Sequence, residues 1–557
     1  MEVISIVGLS VLIFLYIVIL VVGIVAAKKF RPVDGSTDTE ISAVAGRKIN
    51  SVVGVFTMTA TVVGGGFLNG TAESVASQGV IWTLAPFGIF LGLILGGLFF
   101  AKPMRDQRYL TMLDPFQLLY GDTVTGMLYI TALCGDIFWS SSILAALGTS
   151  LSVIVDLDVT LSIIVSACVT VTYTQFGQML AVAYTDIVQL VFIVVAMVIS
   201  VPFALTHPSV GSIVETASEW GGELDASLGA AWVDLFIAMT LGSIPWQSYF
   251  QRVLSVKGSS EAQVLSVVGG VAALVMAVPP LLLGAVARSA EWNTTDLGSS
   301  PMDRNESSLV LPYVIHYFTP PAVAVIALGG VSAAVMSSAD SSVLGSSSMF
   351  THNIYNKVFR KKASEAELLW VQRITVVGVG VIATTMAIFV HTVYFLFILA
   401  ADIVFVIILP QLICVVYLKK HTNTYGAIVG YIVGLLLRLG AGESFIHLPV
   451  FIKYPFYSET SGQLFPFRTF AMLVSLLTVV VVSCLAKAAF SKHVVSEKLD
   501  IFRCFADRKN VENSTSLKRN RAEDEPRWRD PSAGVSREEL IQDRPNYDSY
   551  EMESSHL

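Results

Sequence analysis

Two residue patterns in this chain could do chemistry, and neither is enzymatic. The first is a run of hydroxyls, "GGVSAAVMSSADSSVLGSSSMFTHNIY" (329–355). It sets Ser332, Ser337, Ser338, Ser341, Ser342, Ser346, Ser347 and Ser348 along one small-residue segment. Hydroxyl and carbonyl oxygens suit a hard, weakly charged ion such as sodium. Serine also serves as hydrogen-bonding glue between membrane helices, and most of these serines read that way. The second pattern is a pair of interruptions in apolar segments. "TATVVGGGFLNGTAE" (59–73) carries Gly64, Gly65 and Gly66, and "TLGSIPWQSYFQR" (240–252) carries Gly242, Ser243 and Pro245. Glycine weakens a helix interior, and proline removes a backbone donor and clashes with the preceding turn. Unwound carbonyls at such breaks can ligate a cation, and half-helix ends can face a substrate. The glycine triplet alone fits a tight packing surface equally well; the matched Gly-Pro interruption favours two broken helices.

Acids inside apolar runs are functional candidates by default. Asp136, Asp186, Asp340, Asp402 and Glu73 qualify, each with an interhelical hydrogen bond as the alternative. Asp340, just after the serine pair, is expected to tune an ion site or close a gate. His316 and His391 have no partner at metal-ligand spacing, and there is no HExxH, GxSxG or paired intramembrane Asp motif. The five cysteines are scattered without CxxC spacing and read as small core residues. The expectation is a protein that is not an enzyme, with no cofactor and no metal other than sodium.

The elements that must position these residues are membrane helices. The chain has 557 residues, 54% hydrophobic and only 14% charged, with mean hydropathy +0.69; soluble domains carry roughly 25% charged residues. Nothing basic enough to suggest nucleic acid is present. Apolar runs fall at about 4–27, 49–72, 80–101, 124–154, 159–174, 180–205, 230–250, 263–287, 310–338, 370–390, 393–418, 425–440 and 467–488. They are too long and uniform for barrel strands, so the fold class is an all-α membrane protein with about 13 transmembrane helices. The first run lacks a basic n-region and exceeds a signal-peptide core, so it reads as a span.

The two interruptions open spans two and seven, five apart. That spacing is the mark of an inverted repeat with a broken first helix in each half. The expected organisation is 1–48 first helix and loop, 49–205 first repeat, 206–420 second repeat, 421–490 two additional helices, and 491–557 a disordered tail. Lys and Arg cluster after spans one, three, seven, nine and eleven, which places those loops inside, the N-terminus outside and the C-terminus cytoplasmic. Sequons at Asn293 and Asn305 lie in a loop this rule places outside, where glycosylation is expected; those at Asn69 and Asn513 are not expected to be used. In the polar tail, "SREELIQD" (536–543), with Glu538, Glu539, Leu540 and Ile541, is similar to an acidic dileucine signal for an endocytic adaptor, although Ser536 stands where an acid is usual.

The segments "FTMTAT-VGGG", "NGTAE", "FFAKPMR", "TMLDPFQ", "VAYTDIVQL", "IPWQSYFQRVLS", "VSAAVMSSADSS" and "NTYGA" resemble the sodium:solute symporter family, and within it the choline-transporting branch. The resemblance covers residues 1 to 505 or so. It implies a LeuT-type 5+5 inverted repeat and sodium-driven, chloride-dependent import of choline at the plasma membrane by alternating access. It also implies presynaptic and vesicular pools and service to neurotransmitter biosynthesis. The family's sodium site falls on the carbonyls of Ala60, Val63 and Ala334 and the hydroxyls of Ser337 and Ser338. A quaternary ammonium needs aromatic faces, and Trp246 and Trp139 are the matching tryptophans, with Gly64 and Gly65 allowing close approach of the substrate. Trp82, Trp232 and Trp370 fit an interfacial belt better. Glu443 matches an acidic family position and is expected to attract a cation or act in gating and ion coupling.

The chain departs from that branch where two aromatics are replaced by Val62 and Ile89, and Phe67 stands for a tyrosine. An alternative therefore stays open: a sodium symporter of the same fold for another small organic solute. A channel or a non-transporting sensor is less favoured, because no selectivity-filter loop is found and Ser337 and Ser338 remain.

Overall fold

The computed structural model describes residues 2–29, 37–176, 179–390, 392–443 and 447–505. His391, the Asn513 sequon and the 536–543 signal lie outside the described residues. The chain divides into one large unit, 1–494, and a second, 495–557. Among the described residues of the second, one 3₁₀ turn, Glu497–Leu499, is followed by a loop in which Phe505 N donates to Asp500 Oδ2 at 2.7 Å.

The large unit is helical throughout, in the order α1 Glu2–Lys29, α2 Asp38–Val44, α3 Ser51–Val62, α4 Gly65–Gln78, α5 Ala85–Leu95, α6 Lys102–Asp106, α7 Asp114–Val155, α8 Val159–Phe176, α9 Met179–Leu205, α10 Ala217–Gly221, α11 Gly229–Gly242, α12 Gln247–Ser255, α13 Ser259–Ser289, α14 Val310–Phe318, α15 Pro321–Met349, α16 Glu365–Phe389, α17 Val393–Tyr417, α18 Thr424–Gly440 and α19 Phe467–Ser491. Among the described residues, ten helices are long and apolar enough to cross a membrane. The pair α3–α4, bent by 47°, adds an eleventh, and Val159–Thr172 and α18 are shorter apolar helices at two more predicted spans.

Both predicted breaks are present. At the first, Asn50 caps α3 by accepting from Val53 N at 2.9 Å, and the chain leaves helical geometry at Val63 (φ −86°, ψ 68°) and Gly64 (φ −108°, ψ −168°) before α4 begins. At the second, α11 ends at Gly242 and α12 starts after Trp246 (φ −112°, ψ 135°), so Ser243–Trp246 is unwound. Both follow from residues that helices tolerate poorly.

Two boundaries differ from the sequence expectation. The run at 310–338 is two helices: α14 stops at Phe318, and Thr319-Pro320 turns the chain into α15, which continues to Met349. Proline pushes the residue before it out of helical geometry. The run at 124–154 is the apolar part of α7, which begins at Asp114 and kinks at Gly121 (φ 79°, ψ −175°), a backbone conformation only glycine adopts readily.

The core is the set of helices around the breaks. α15 packs on α7 and α9, α17 on α7, and α13 on α3, α4 and α5. Small residues let backbones close in: a Cβ on Gly242 would lie 2.4 Å from the Ala401 carbonyl oxygen, and one on Gly88 2.8 Å from Met239 Cβ. The outer helices show apolar side chains to their surroundings, Phe14 and Ile17 on α1 and Leu477 and Leu485 on α19 among them, as lipid contact requires.

Candidate substrate and sodium site

When α3 stops at Val62, its last carbonyls lose their intrahelical partners, and the negative end of the helix dipole sits there. Across from it stands Ser338 of α15, fully buried. Its hydroxyl lies 3.2 Å from the Ala60 carbonyl oxygen and 3.1 Å from that of Thr61. Three oxygens with no formal charge are thus gathered at a broken helix end, a donor set suited to sodium. Gly64 is the residue that permits the approach: a Cβ there would lie 1.9 Å from Ser338 Oγ. Ala334 lies one helical turn before Ser338 on α15. Val63 is the non-helical residue of the break.

Ser337 faces elsewhere. Its hydroxyl donates to Asp186 of α9, and Thr57 of α3 donates to the other oxygen of the same carboxylate. Arg252 of α12 pairs with Asp186 at 3.4 Å and donates to Ser341. All five groups are buried. Asp340 turns to α8, accepting from Thr174 at 2.5 Å. Asp136 of α7 accepts from Ser346, and Ser140 meets Ser342 at 2.7 Å. Many of the α15 serines are therefore interhelical partners.

Beside the sodium-type site is a cavity of about 570 Å³, counting its opening to solvent. Trp139 of α7, Trp246 at the second break, Tyr249 of α12 and Phe397 of α17 bring four aromatic rings to it, the Tyr249 hydroxyl meeting Ser266 at 3.0 Å. Trp139 lies 4.8 Å from Phe397 and 6.0 Å from Trp246, centroid to centroid. The Trp246 indole is held by its own Nε1, which donates to the Gly242 carbonyl at 2.6 Å across the break. Val62, Ile89, Leu93 and Met239 supply much of the remaining surface. No ionisable acid, lysine, arginine or histidine lines the cavity among the described residues. Two of its hydroxyls are already turned to backbone: Thr61 donates to Thr57 O at 2.6 Å and Ser243 to Thr240 O at 2.8 Å. Such a site suits an apolar-surfaced cation better than an anion, which would lack donors.

Trp139 and Trp246 are thus brought together. Gly64 and Gly65 are not in the cavity wall; Gly64 abuts Ser338, and a Cβ on Gly65 would strike Val335 at 2.4 Å. Phe67 is buried in the core and does not line the cavity. Sequence reasoning missed Phe397, Thr61, Ser248 and Tyr249: the first is an aromatic inside a long apolar run, the second a hydroxyl beside the glycines, and the last two follow Trp246 without a mark of their own.

Glu443 stands in a second cavity, about 1030 Å³ counting its opening to solvent, near the start of α19. Its carboxylate accepts from Arg438 at 2.7 Å, and Arg438 also pairs with Asp402 at 2.7 Å. Arg468 joins Asp402 at 3.0 Å and Asp234 at 3.6 Å. Glu73 of α4 accepts from the Val393 and Tyr394 amides at 3.0 and 3.1 Å and from Ser307 at 3.0 Å, tying α4 to the start of α17. His316 packs edge-on against Tyr317 at 4.7 Å. No cluster of three or more His, Cys, Asp or Glu suited to a metal occurs among the described residues.

Comparison with known proteins agrees with this geometry. The family model for the sodium:solute symporter family matches residues 43–434. High affinity choline transporter 1 of Homo sapiens is 48% identical over 521 residues, covering 91% of this chain and 90% of the relative. High-affinity choline transporter 1 of Drosophila melanogaster is 46% identical over 503 residues, covering 90% and 82%. Among solved structures, a Na+-coupled sialic acid symporter in a substrate-bound outward-open state superposes with TM-score 0.68 at 14% identity, covering 86% of this chain and 98% of that one. A nucleobase-cation-symport-1 family transporter in a closed conformation does so with TM-score 0.51 at 11% identity, covering 81% and 95%. Broken helices, fold and sequence agree that this chain belongs to the sodium:solute symporter family, whose members are sodium-coupled membrane transporters and not enzymes.

Proposed function

We propose that this protein imports choline, or a closely related quaternary ammonium, across the plasma membrane by sodium-coupled alternating access. The observation that carries the reading is the cavity: four aromatic side chains, Trp139, Trp246, Tyr249 and Phe397, and no carboxylate, lysine, arginine or histidine, next to the oxygens of Ala60, Thr61 and Ser338. A quaternary ammonium donates no strong hydrogen bond, so aromatic faces hold it. Similarity to high-affinity choline transporters points to the same substrate.

In this reading the carbonyls of Ala60, Val63 and Ala334 and the Ser338 hydroxyl bind the co-transported sodium, and the Ser337 hydroxyl joins them only by turning away from Asp186. The ion, more concentrated outside, orders the first break so that Trp139 and Trp246 meet the substrate. Asp340 and Glu443 act in gating or ion coupling through their helix contacts. Residues 49–205 and 206–420 form the two inverted repeats, 1–48 and 421–490 add flanking helices, and 491–557 is a tail whose 536–543 signal recruits an endocytic adaptor. The basic loops lie in the cytoplasm, so the N-terminus and the Asn293 and Asn305 sequons are outside; both asparagines are exposed. Chloride is required for full uptake. Replacing chloride by gluconate tests that point, and unchanged uptake would remove chloride from the scheme.

A second reading keeps the fold and changes the solute. Val62 and Ile89 both line the cavity, so the departures from the choline-transporting branch fall on the binding surface itself. Uptake of choline by cells expressing the chain, with sodium or an inert cation, separates the two readings.

A further inference from the structure

We infer that residues 38–49 form a cytoplasmic strap that fastens the inner halves of both broken helices, α3 and α12, to α16, and that its bonds to α16 part when the inner side opens. The inference concerns a segment outside the solute and ion sites, and it rests on the sodium-coupled alternating access proposed above.

The strap is short and deeply set. Thr37 caps α2 by accepting from Glu40 N at 3.1 Å, and Ile41 to Ala45 are buried. The chain then turns through Ala45, Gly46 and Arg47, all left-handed, with φ of 52°, 59° and 58°. Residues other than glycine keep that conformation only where the surrounding structure fixes it. The contacts that fix it run two ways.

One set joins the strap to the broken helices. α3 begins at Ser51, two residues beyond Ile49, so the chain itself is the first tie. Ile49 N donates to Ser255 O at the end of α12 at 3.2 Å. Gln251 of α12 donates from Nε2 to the Ala43 carbonyl at 2.9 Å. Arg47 pairs with Glu40 at 2.8 Å and donates to the Arg108 and Tyr109 carbonyls at 2.7 and 3.0 Å. The other set joins the strap to α16, a helix without a break. Thr39 donates to Glu365 Oε2 from both its amide, at 3.0 Å, and its hydroxyl, at 2.5 Å. Ser42 donates to Gln372 at 3.0 Å, and Gln372 donates on to Ser348 of α15 at 3.1 Å. Tied by chain to α3 and by hydrogen bonds to α12, the strap travels with them. Thr39–Glu365 and Ser42–Gln372 are then the bonds that must break when the two half-helices leave α16.

The test is hydrogen exchange by residues 37–50 of the purified full-length chain, in sodium buffer and in the same buffer with potassium in place of sodium. Sodium at the first break joins α3 to Ser338 of α15 and so keeps the strap docked. Exchange is expected to be about tenfold slower in sodium, because local opening sets its rate. Equal exchange in the two buffers overturns the inference. If residues 59–66 gain protection from sodium and the strap does not, only the strap is lost. If neither responds, the sodium site at the break fails with it. Thr39→Val touches neither the ion nor the solute site and removes one hydrogen bond to a carboxylate. It is expected to speed strap exchange in sodium about tenfold, with the protection of residues 59–66 retained. An unchanged strap rate in that variant contradicts the anchor on α16.

Discussion

At the scale of single residues, the site depends on what is absent at Gly64. A methyl group there would overlap the Ser338 hydroxyl, and overpacking of this kind costs about 1–3 kcal/mol. Gly64→Ala is expected to raise the sodium concentration for half-maximal uptake at least tenfold, or to abolish uptake, with surface expression retained. Gly126→Ala, where a Cβ meets nothing within 4 Å, is the control and should be silent. A Gly64→Ala transporter with ordinary sodium dependence would remove Ser338 from the ion site. The aromatic residues give a second prediction. Trp246→Leu should weaken ammonium binding by roughly 2- to 30-fold, the range of one cation–π contact of ~0.5–2 kcal/mol. Competition by unlabelled substrate measures it, and an unchanged inhibition constant would place the ammonium elsewhere. These residues differed in legibility. The glycines and Trp246 stand out because each is improbable in an apolar helix. Phe397 does not, because in "VYFLFILAAD" one aromatic among many carries no mark of facing a cavity until α17 is packed on α7.

At the scale of elements, the cavity is only as fixed as the helices that line it. α17 carries Phe397 and Ala401 into the wall, and the next residue, Asp402, is clamped by Arg438 of α18 and Arg468 of α19. Stranding a buried charge costs about 3–5 kcal/mol; Arg438→Met leaves Asp402 with Arg468 but takes the guanidinium from Glu443. Arg438→Met should therefore lower the thermal midpoint of the purified protein, by less than that full penalty, and cut surface expression. Arg304→Met, in an exposed pair with Glu306, should leave both unchanged. Equal stability of the two variants would refute the clamp. Where the elements were misread, the signal was present but outweighed. Pro320 and Pro321 mark the turn between α14 and α15, yet the apolar run continues through them. Asp114-Pro115 is a helix start, but the polar residues after it dilute the hydropathy and hide the first turns of α7.

At the scale of the whole molecule, two breaks five spans apart make the transporter legible, because only a site that must bind an ion and a solute gives reason to unwind membrane helices in matched places. Topology is a claim at this scale. Asn293→Gln and Asn305→Gln, singly and together, should each remove one glycosidase-sensitive step in mass, and a chain with no sensitive mass would argue against an external loop there. What neither helix count nor fold can specify is the solute, since that depends on a few side chains of the cavity. The most direct measurement is radiolabelled choline uptake in cells expressing the chain, with sodium or with an inert replacement cation. Saturable uptake that collapses without sodium, with an affinity that Val62→Trp improves, is the predicted result. No sodium-dependent choline uptake by protein shown to be at the cell surface would contradict the assignment of choline and leave a sodium symporter for a different solute.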